Sequence, residues 1–334
     1  SCDDTSVAYL TVSPDEPIVI NAQKTISQID IHKVFGGVIP EVAGRKHAEA
    51  IVPLIQEVLE GKEKPDAIAI TSGPGLMTGL MVGIEAAKTL SLALDIPVIP
   101  VNHIEGHIHS VFLPSKKETR VAPSDLKLPA LCLVASGGHT EIILMKDFGN
   151  YERIGKTKDD AAGEAFDKIA KMMGIEYPGG PKVSELAKQG NKTAIPFPRP
   201  MINDPSFDFS FSGLKTAVLY YLRDNKDYDI NDVCASAQAA IVDVITKKVS
   251  RAIKKYKPQS LILAGGVSAN EPLRTSLGSL CTDIDFHLPQ KMYCMDNAAM
   301  IGAAAAHHLY KREIVDWQDI VGNPNWKIDQ KYNK

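Results

Sequence analysis

Residues 102–110, NHIEGHIHS, bring together three histidines, His103, His107 and His109, and one carboxylate, Glu105. Imidazoles and carboxylates in one place can ligate a transition metal or move protons. On a helix successive residues turn by about 100°, so His103 and His107, four apart, lie over one another on one face. His109 falls off that face, and Glu105 points nearly the opposite way. The spacing therefore offers two ligands and leaves a third to come from elsewhere. In the zinc-protease pattern HExxH the glutamate that serves as base follows the first histidine directly. Here that position is Ile104, so a protease would lack its base. An i, i+4 histidine pair also arises on ordinary surface and core helices.

A second group of residues has the chemistry to hold an anion. The stretch 135–140, ASGGHT, places adjacent glycines between two apolar runs, where backbone N–H groups converge on negative charge. GGVSAN at 265–270 follows an apolar run and precedes a helix, a junction where ligands sit at the carboxyl end of a sheet. YPGGP at 177–181 is a third tight turn, and SCDDTS at the N-terminus a fourth that carries two acids. Each alone reads as an ordinary turn. Neither the Walker A pattern nor GxGxxG occurs, which argues against a P-loop or a Rossmann dinucleotide site. In DDAAGEAFDK, Asp159 and Asp160 are placed to cap a helix N-terminus. Asp167 lies seven residues beyond Asp160 on the same face, within reach of a sugar hydroxyl or a metal. Asp296, just before an alanine-rich helix, reads first as an N-cap, and is also the right type to join two histidines on a metal.

These residues need a scaffold of alternating strands and helices. Residues 7–12 and 17–21 read as a hairpin, 41–59 as a helix, and 67–71 as a short buried strand. A glycine-rich turn and a helix to about 94 follow, and then a strand at 97–101 that delivers the chain into the histidine stretch. Residues 114–128, polar and proline-containing, read as a linker. The order then repeats. A strand at 130–135 and its partner at 141–145 precede helices near 163–173, 183–188, 213–223 and 233–256. A strand at 260–265 and a helix at 297–311 close the series. The pattern suggests two related α/β lobes with a cleft between them. The expected boundaries are 1–113 for the N-terminal lobe, 129–312 for the C-terminal lobe with an insertion at about 191–211, and 313–334 for a tail. That insertion is rich in proline and aromatics.

The composition suits a soluble globular chain of 334 residues: 44% hydrophobic, 23% charged, net charge −3. Overall charge gives a nucleic-acid partner no support, so one would need a local basic path, for which Lys182, Lys188, Lys192 and Arg199 are candidates. Five scattered cysteines without CxxC spacing fit a reducing compartment. No apolar run reads as a membrane span. The abrupt start at Ser1-Cys2 leaves room for a removed targeting segment.

The motifs SCDDTS, FGGVIPEVAGRKH, TSGPGLMTGLMVG, NHIEGH, VASGGHTEI, DDAAGEAFDK, YPGGP, FSFSGLKTA, AGGVSAN and MDNAAMIG occur in that order along the chain. Together they resemble the TsaD family of tRNA threonylcarbamoyladenosine synthesis, once labelled O-sialoglycoprotein endopeptidase. SCDDTS and PEVAGRKH look like its bacterial and organellar branch. Two departures stand out. The residues that usually precede SCDDT are missing, and GGVSAN and VASGG differ by single small residues from the usual GGVAAN and LVSGG.

The resemblance implies a two-lobed actin-like ATPase fold. It implies transfer of threonylcarbamoyl from threonylcarbamoyl-AMP to the exocyclic amine of the adenosine 3′ of the anticodon, in tRNAs reading ANN codons. It implies one iron or zinc ion per subunit on His103, His107 and Asp296, with Asp296 facing the histidines across the cleft. Contacts to an ATP- or AMP-type nucleotide, with magnesium where it is ATP, map onto Val134, Ala135, Ser136, Gly137, Gly138, Asp167, Gly180, Ser184 and Asn270. Besides tRNA, implied partners are the dimerising paralogue TsaB and the small ATPase TsaE, with threonylcarbamoyl-AMP synthase upstream. A mitochondrial member would instead be a homodimer. The cytoplasm, or the mitochondrial matrix after loss of a targeting segment, is the implied compartment. Two other classes remain beside this one: a nucleotide-binding ATPase scaffold and, more remotely, a metalloprotease. The 41–59 helix offers a natural partner surface, and the aromatics of 209–215 could stack on RNA bases.

Overall fold

A computed structural model describes residues 1–13, 16–114 and 122–332. The chain forms two compact units. One comprises Ser1–Leu126, Asp147–Tyr151 and Pro289–Lys334, the other Lys127–Lys146 and Glu152–Leu288.

In the first unit β1 (Asp4–Thr11) and β2 (Val19–Ser27) pair antiparallel. The short α1 (Ile29–Lys33) leads to α2 (Pro40–Leu59), whose first residue is a proline, the position where a missing N–H costs nothing. β3 (Ile68–Gly73) pairs in parallel with β4 (Val98–Asn102). A parallel pair needs a long crossover, and α3 (Met77–Leu94) supplies it. Its Leu80, Ile84 and Ala87 pack with Val98, Val315 and Ile320. In length and composition α3 does reach what a membrane span needs, although the sequence shows no such run at sight.

At the end of β4, α4 (His103–His109) begins without a linker, and every one of its residues is buried. The unit closes with α10 (Ala298–Tyr310), packed against α4 with Met300 and Ile301 lying over Gly106. Here the structure corrects the expected boundaries. Residues 289–312 belong with the N-terminal lobe, because the apolar face of α10 is buried there. Asp296 therefore lies in the same unit as His103 and His107, not across a cleft from them.

In the second unit a five-stranded mixed sheet has the order β7-β6-β5-β8-β9. These strands are β5 (Ala130–Ala135), β6 (Thr140–Asp147), β7 (Asn150–Lys156), β8 (Ser260–Ala264) and β9 (Asp285–His287). β5 runs antiparallel to β6 and parallel to β8, with Val134 beside Ala264. Both β5 and β8 are wholly buried, which explains their unbroken apolar sequences. Helices α5 (Ala162–Met172), α6 (Gly179–Leu186), α7 (Ser212–Asp224), α8 (Ile230–Tyr256) and α9 (Glu271–Gly278) belong to this unit. The helix expected after GGVSAN is α9, whereas the sequence gives no sign of β7 or β9. β9 is only three residues long, too short for a periodicity to show.

The proline-rich 191–211 stretch is built into this core. Phe209 and Phe211 are fully buried, and Lys248, itself without exposure, donates to the carbonyls of Asp204 (3.1 Å) and Ser206 (2.8 Å). Those phenylalanines are thus unavailable for stacking on RNA. The expected linker falls partly on 115–121, outside the described residues. Its far end, Pro123–Asp125, is a turn of 3-10 helix followed by the buried Leu126.

Candidate metal centre and nucleotide site

Asn102 is both the last residue of β4 and the N-cap of α4, its side chain accepting from the Ile104 N–H at 2.9 Å. This sharp start sets His103 at the first helical position and His107 one turn on. Their rings meet edge to face with centroids 4.7 Å apart. Opposite them stands Asp296. Its Oδ1 is 3.4 Å from His103 Nε2 and 3.2 Å from His107 Nε2. Asp296 does not cap α10. Asn297 does, accepting from the Met300 N–H at 2.9 Å, and so the Asp296 carboxylate is left for the histidines.

The donor set suits a divalent metal. Neither ring nitrogen of His107, 1% exposed, makes a well-formed hydrogen bond, an uncommon state for a buried imidazole. Burial pushes His103 below the ordinary imidazole value, which favours the neutral, lone-pair form a metal needs. Burial opposes ionisation of Asp296 too. The two imidazoles outweigh it and hold the carboxyl well below its usual range. Ligand atoms about 3.3 Å apart are what tetrahedral zinc or iron requires, and both N–O separations lie near that value.

Glu105 and His109 take no part in this triad, as the helical geometry predicts. Tyr151 donates to Glu105 Oε1 at 2.9 Å, and its hydroxyl is 3.0 Å from His109 Nε2.

The nine predicted nucleotide contacts all fall in the second unit. Val134 and Ala135 end β5, and Ser136, Gly137 and Gly138 form the turn beyond it. An added Cβ would meet nothing within 4 Å at Gly137 or Gly138. Their backbones are thus open to an approaching group. The turn is held from below: Gly163 N–H donates to the Ser136 carbonyl at 3.1 Å, and Ser136 Oγ accepts from the His139 N–H at 3.2 Å. At Gly163 a Cβ would come within 2.7 Å of the Ser136 carbonyl oxygen, so only glycine permits this contact. Gly265, at φ +85°, likewise lets the loop after β8 pass against Ala135.

Asp167 accepts from the N–H groups of Gly179 (2.8 Å) and Gly180 (3.0 Å), which anchors the start of α6 to α5. Asn270 caps α9 through Leu273 N–H at 3.0 Å and donates to Ser184 Oγ at 3.0 Å and Gln238 Oε1 at 2.7 Å. The sequence does not point to Gln238, buried in the middle of α8. Asp159 and Asp160 do not cap α5. Asp159 accepts from Phe211 N–H and Ser210 Oγ, and Asp160 pairs with Lys168 and Lys215. The N-terminus of α5 is satisfied instead by Thr140 Oγ1, which accepts from Ala162 N–H at 2.8 Å. Of the basic candidates, Lys182 is paired with Glu185 and Arg199 with Asp243.

Fold and site together define a mixed α/β protein with a buried imidazole–carboxylate cluster in one unit and a glycine-rich cradle beyond the carboxyl ends of β5 and β8 in the other. Among solved structures with this fold is HypF from T. kodakarensis (TM-score 0.57, 14% identity), over 89% of this chain and 46% of that one. Full-length HypF in a phosphate- and nucleotide-bound form is similar too (TM-score 0.55, 15% identity, 92% of this chain and 47% of that one). The profile of the TsaD family, tRNA N6-adenosine threonylcarbamoyltransferase, matches residues 19–303. A Clostridium perfringens protein of that name is 44% identical over 99% of this chain and 97% of its own length. One from Clostridium botulinum is 45% identical over 99% of this chain and 96% of its own. The chain belongs to this family.

Proposed function

We infer that this chain is an acyltransferase of tRNA modification. It moves the threonylcarbamoyl group of threonylcarbamoyl-AMP to the exocyclic amine of the adenosine 3′ of the anticodon in tRNAs reading ANN codons. Near-full-length identity to enzymes of that name carries this conclusion. The histidine–aspartate triad, with a buried His107 that lacks a well-formed hydrogen bond, is the structural feature that accords with it. We take the two units to be the lobes of an actin-like fold.

The donor substrate is a mixed carboxylic–phosphoric anhydride and is already activated, so the protein need supply no nucleophile. The tRNA amine nitrogen forms the new bond to the carbonyl carbon, the C–O bond to the phosphate breaks, AMP leaves, and the amine gives up a proton. His103, His107 and Asp296 would hold a divalent ion, iron or zinc, which when bound supplies positive charge for substrate oxygens. The remaining work is positioning. The N–H groups of Gly137 and Gly138 would face the nucleotide phosphate. Asp167, fixed by two backbone donors, and Asn270, fixed by the α9 cap, would orient the nucleoside with Ser184. Partners of the TsaB and TsaE kind, or a second copy of the chain, would complete the assembly in the cytoplasm or mitochondrial matrix.

The test supplies purified chain, with its partner subunits, with threonylcarbamoyl-AMP and unmodified tRNA, and looks for the modified nucleoside by mass spectrometry. Wild type should form it, and the His103→Ala/His107→Ala variant should lose activity together with the metal held at the triad. A variant that keeps full activity without metal would remove the triad from the reaction.

A further inference from the structure

The face of α4 opposite the triad carries a second cluster. Glu105 is 3% exposed, and around it the ligand atoms of Glu105, His307 and His308 lie within 4.8 Å of one another. His307 Nε2 is 3.2 Å from Glu105 Oε1, and His308 Nε2 is 3.0 Å from Glu105 Oε2. These separations resemble those of the first triad. We propose that Glu105, His307 and His308 form a second divalent-metal site, for a borderline ion such as zinc, iron(II) or cobalt(II).

Three observations support it. Neither ring nitrogen of His307 makes a well-formed hydrogen bond, although its side chain is only 11% exposed. Its Nε2 stands 3.2 Å from a Glu105 oxygen in poor hydrogen-bond alignment, a placement that a cation held by both atoms would also produce. His308 has its other nitrogen, Nδ1, 2.6 Å from Glu313 Oε2. Metal-bound histidines typically give their second N–H to a carboxylate in this way, which turns the free lone pair toward the metal. Glu105 is supported in turn, since Tyr151 donates to it and His109 stands behind Tyr151. Ligating carboxylates are usually buttressed like this. Two imidazoles and one carboxylate make the nitrogen–oxygen set that these ions favour, with a coordination position left open.

His307 and His308 end α10, and Asp296 lies just before its start. Each site would therefore tie α4 to the α10 segment. Access is narrow. His109 and Phe148 make ring contacts with His307, Phe112 packs on both of them, and at Gly149 an added Cβ would come 3.2 Å from His307 Nε2.

The site stands independently of the catalytic reading. To test it, the full chain is stripped with a chelator, loaded with zinc or cobalt(II), desalted and analysed for bound metal. Wild type should hold two ions per chain. The variant His103→Ala/His107→Ala/Asp296→Ala should retain one, and adding His308→Ala should remove it. Circular dichroism checks that each variant is folded, and the wild-type ratio decides the matter if one is not. One ion or fewer in wild type, or none in the folded triad variant, would overturn the proposal and leave Glu105 as a carboxylate satisfied by hydrogen bonds alone.

Discussion

Asp296 and Asn297 show how much depends on one position. Adjacent in sequence, they divide two tasks: Asn297 caps α10 and Asp296 turns to the histidines. Asn297→Ala should lower stability by about 1 kcal/mol through loss of the cap, read as a drop in the thermal midpoint. Asp296→Ala should leave the metal-free protein nearly as stable as wild type while abolishing stoichiometric metal at the triad. Equal thermal losses in the two variants would mean that Asp296 also serves the helix. In the second unit Gly137→Ala and Gly138→Ala meet no atoms, so both should fold with wild-type stability. Weakened binding of AMP, followed by calorimetry, would mark the cradle as a place where ligand approaches backbone. Unchanged binding would move the phosphate elsewhere.

At the scale of elements, the pair α4 and α10 positions the residues proposed to hold metal. Gly106 sits where a Cβ would approach the Ile301 Cδ1 atom to 2.7 Å. Gly106→Val would overfill this contact and should cost about 1–3 kcal/mol, with weaker metal retention because the helix bearing the histidines moves from Asp296. Denaturant midpoints and metal analysis check both, and retention of full metal affinity would show that the helices can separate without harm to the triad. The α2 helix, offered by its sequence as a partner surface, buries Ala43, His47, Leu54 and Val58 within its own unit. Its stripe is core. The aromatic stretch ending in Phe211 has the same fate, because the buried Lys248 and the Asp159 carboxylate fasten it from within.

For the whole molecule, the proposed metal triad and the proposed nucleotide cradle are assembled separately, each from residues of one unit. Metal removal should accordingly act locally. After chelation, amide exchange should quicken in α4 and the first turns of α10, while β5 and α8 keep their protection. Uniform loss across both units would contradict independent assembly. The nucleotide should act in the opposite sense, slowing exchange around 136–138, 179–184 and 266–270 with little effect on α4.

The sequence alone determined the local terms: the strand–helix alternation, the i, i+4 pair His103 and His107, the exclusion of Glu105 from their face, and the ordered motifs that mark the family. All of these follow from spacing along one element or from short unbroken patterns. Tertiary structure decided which distant residues meet. It placed Asp296 in the unit of the histidines, gave the cap of α10 to Asn297, joined Asn270 to Ser184 and Gln238, and brought His307 and His308 to Glu105. An acid before an alanine-rich helix looks alike whether it caps that helix or faces a metal, because both choices obey the same local preferences. The packing of α10 on α4 separates them, and that depends on apolar faces far apart in the chain.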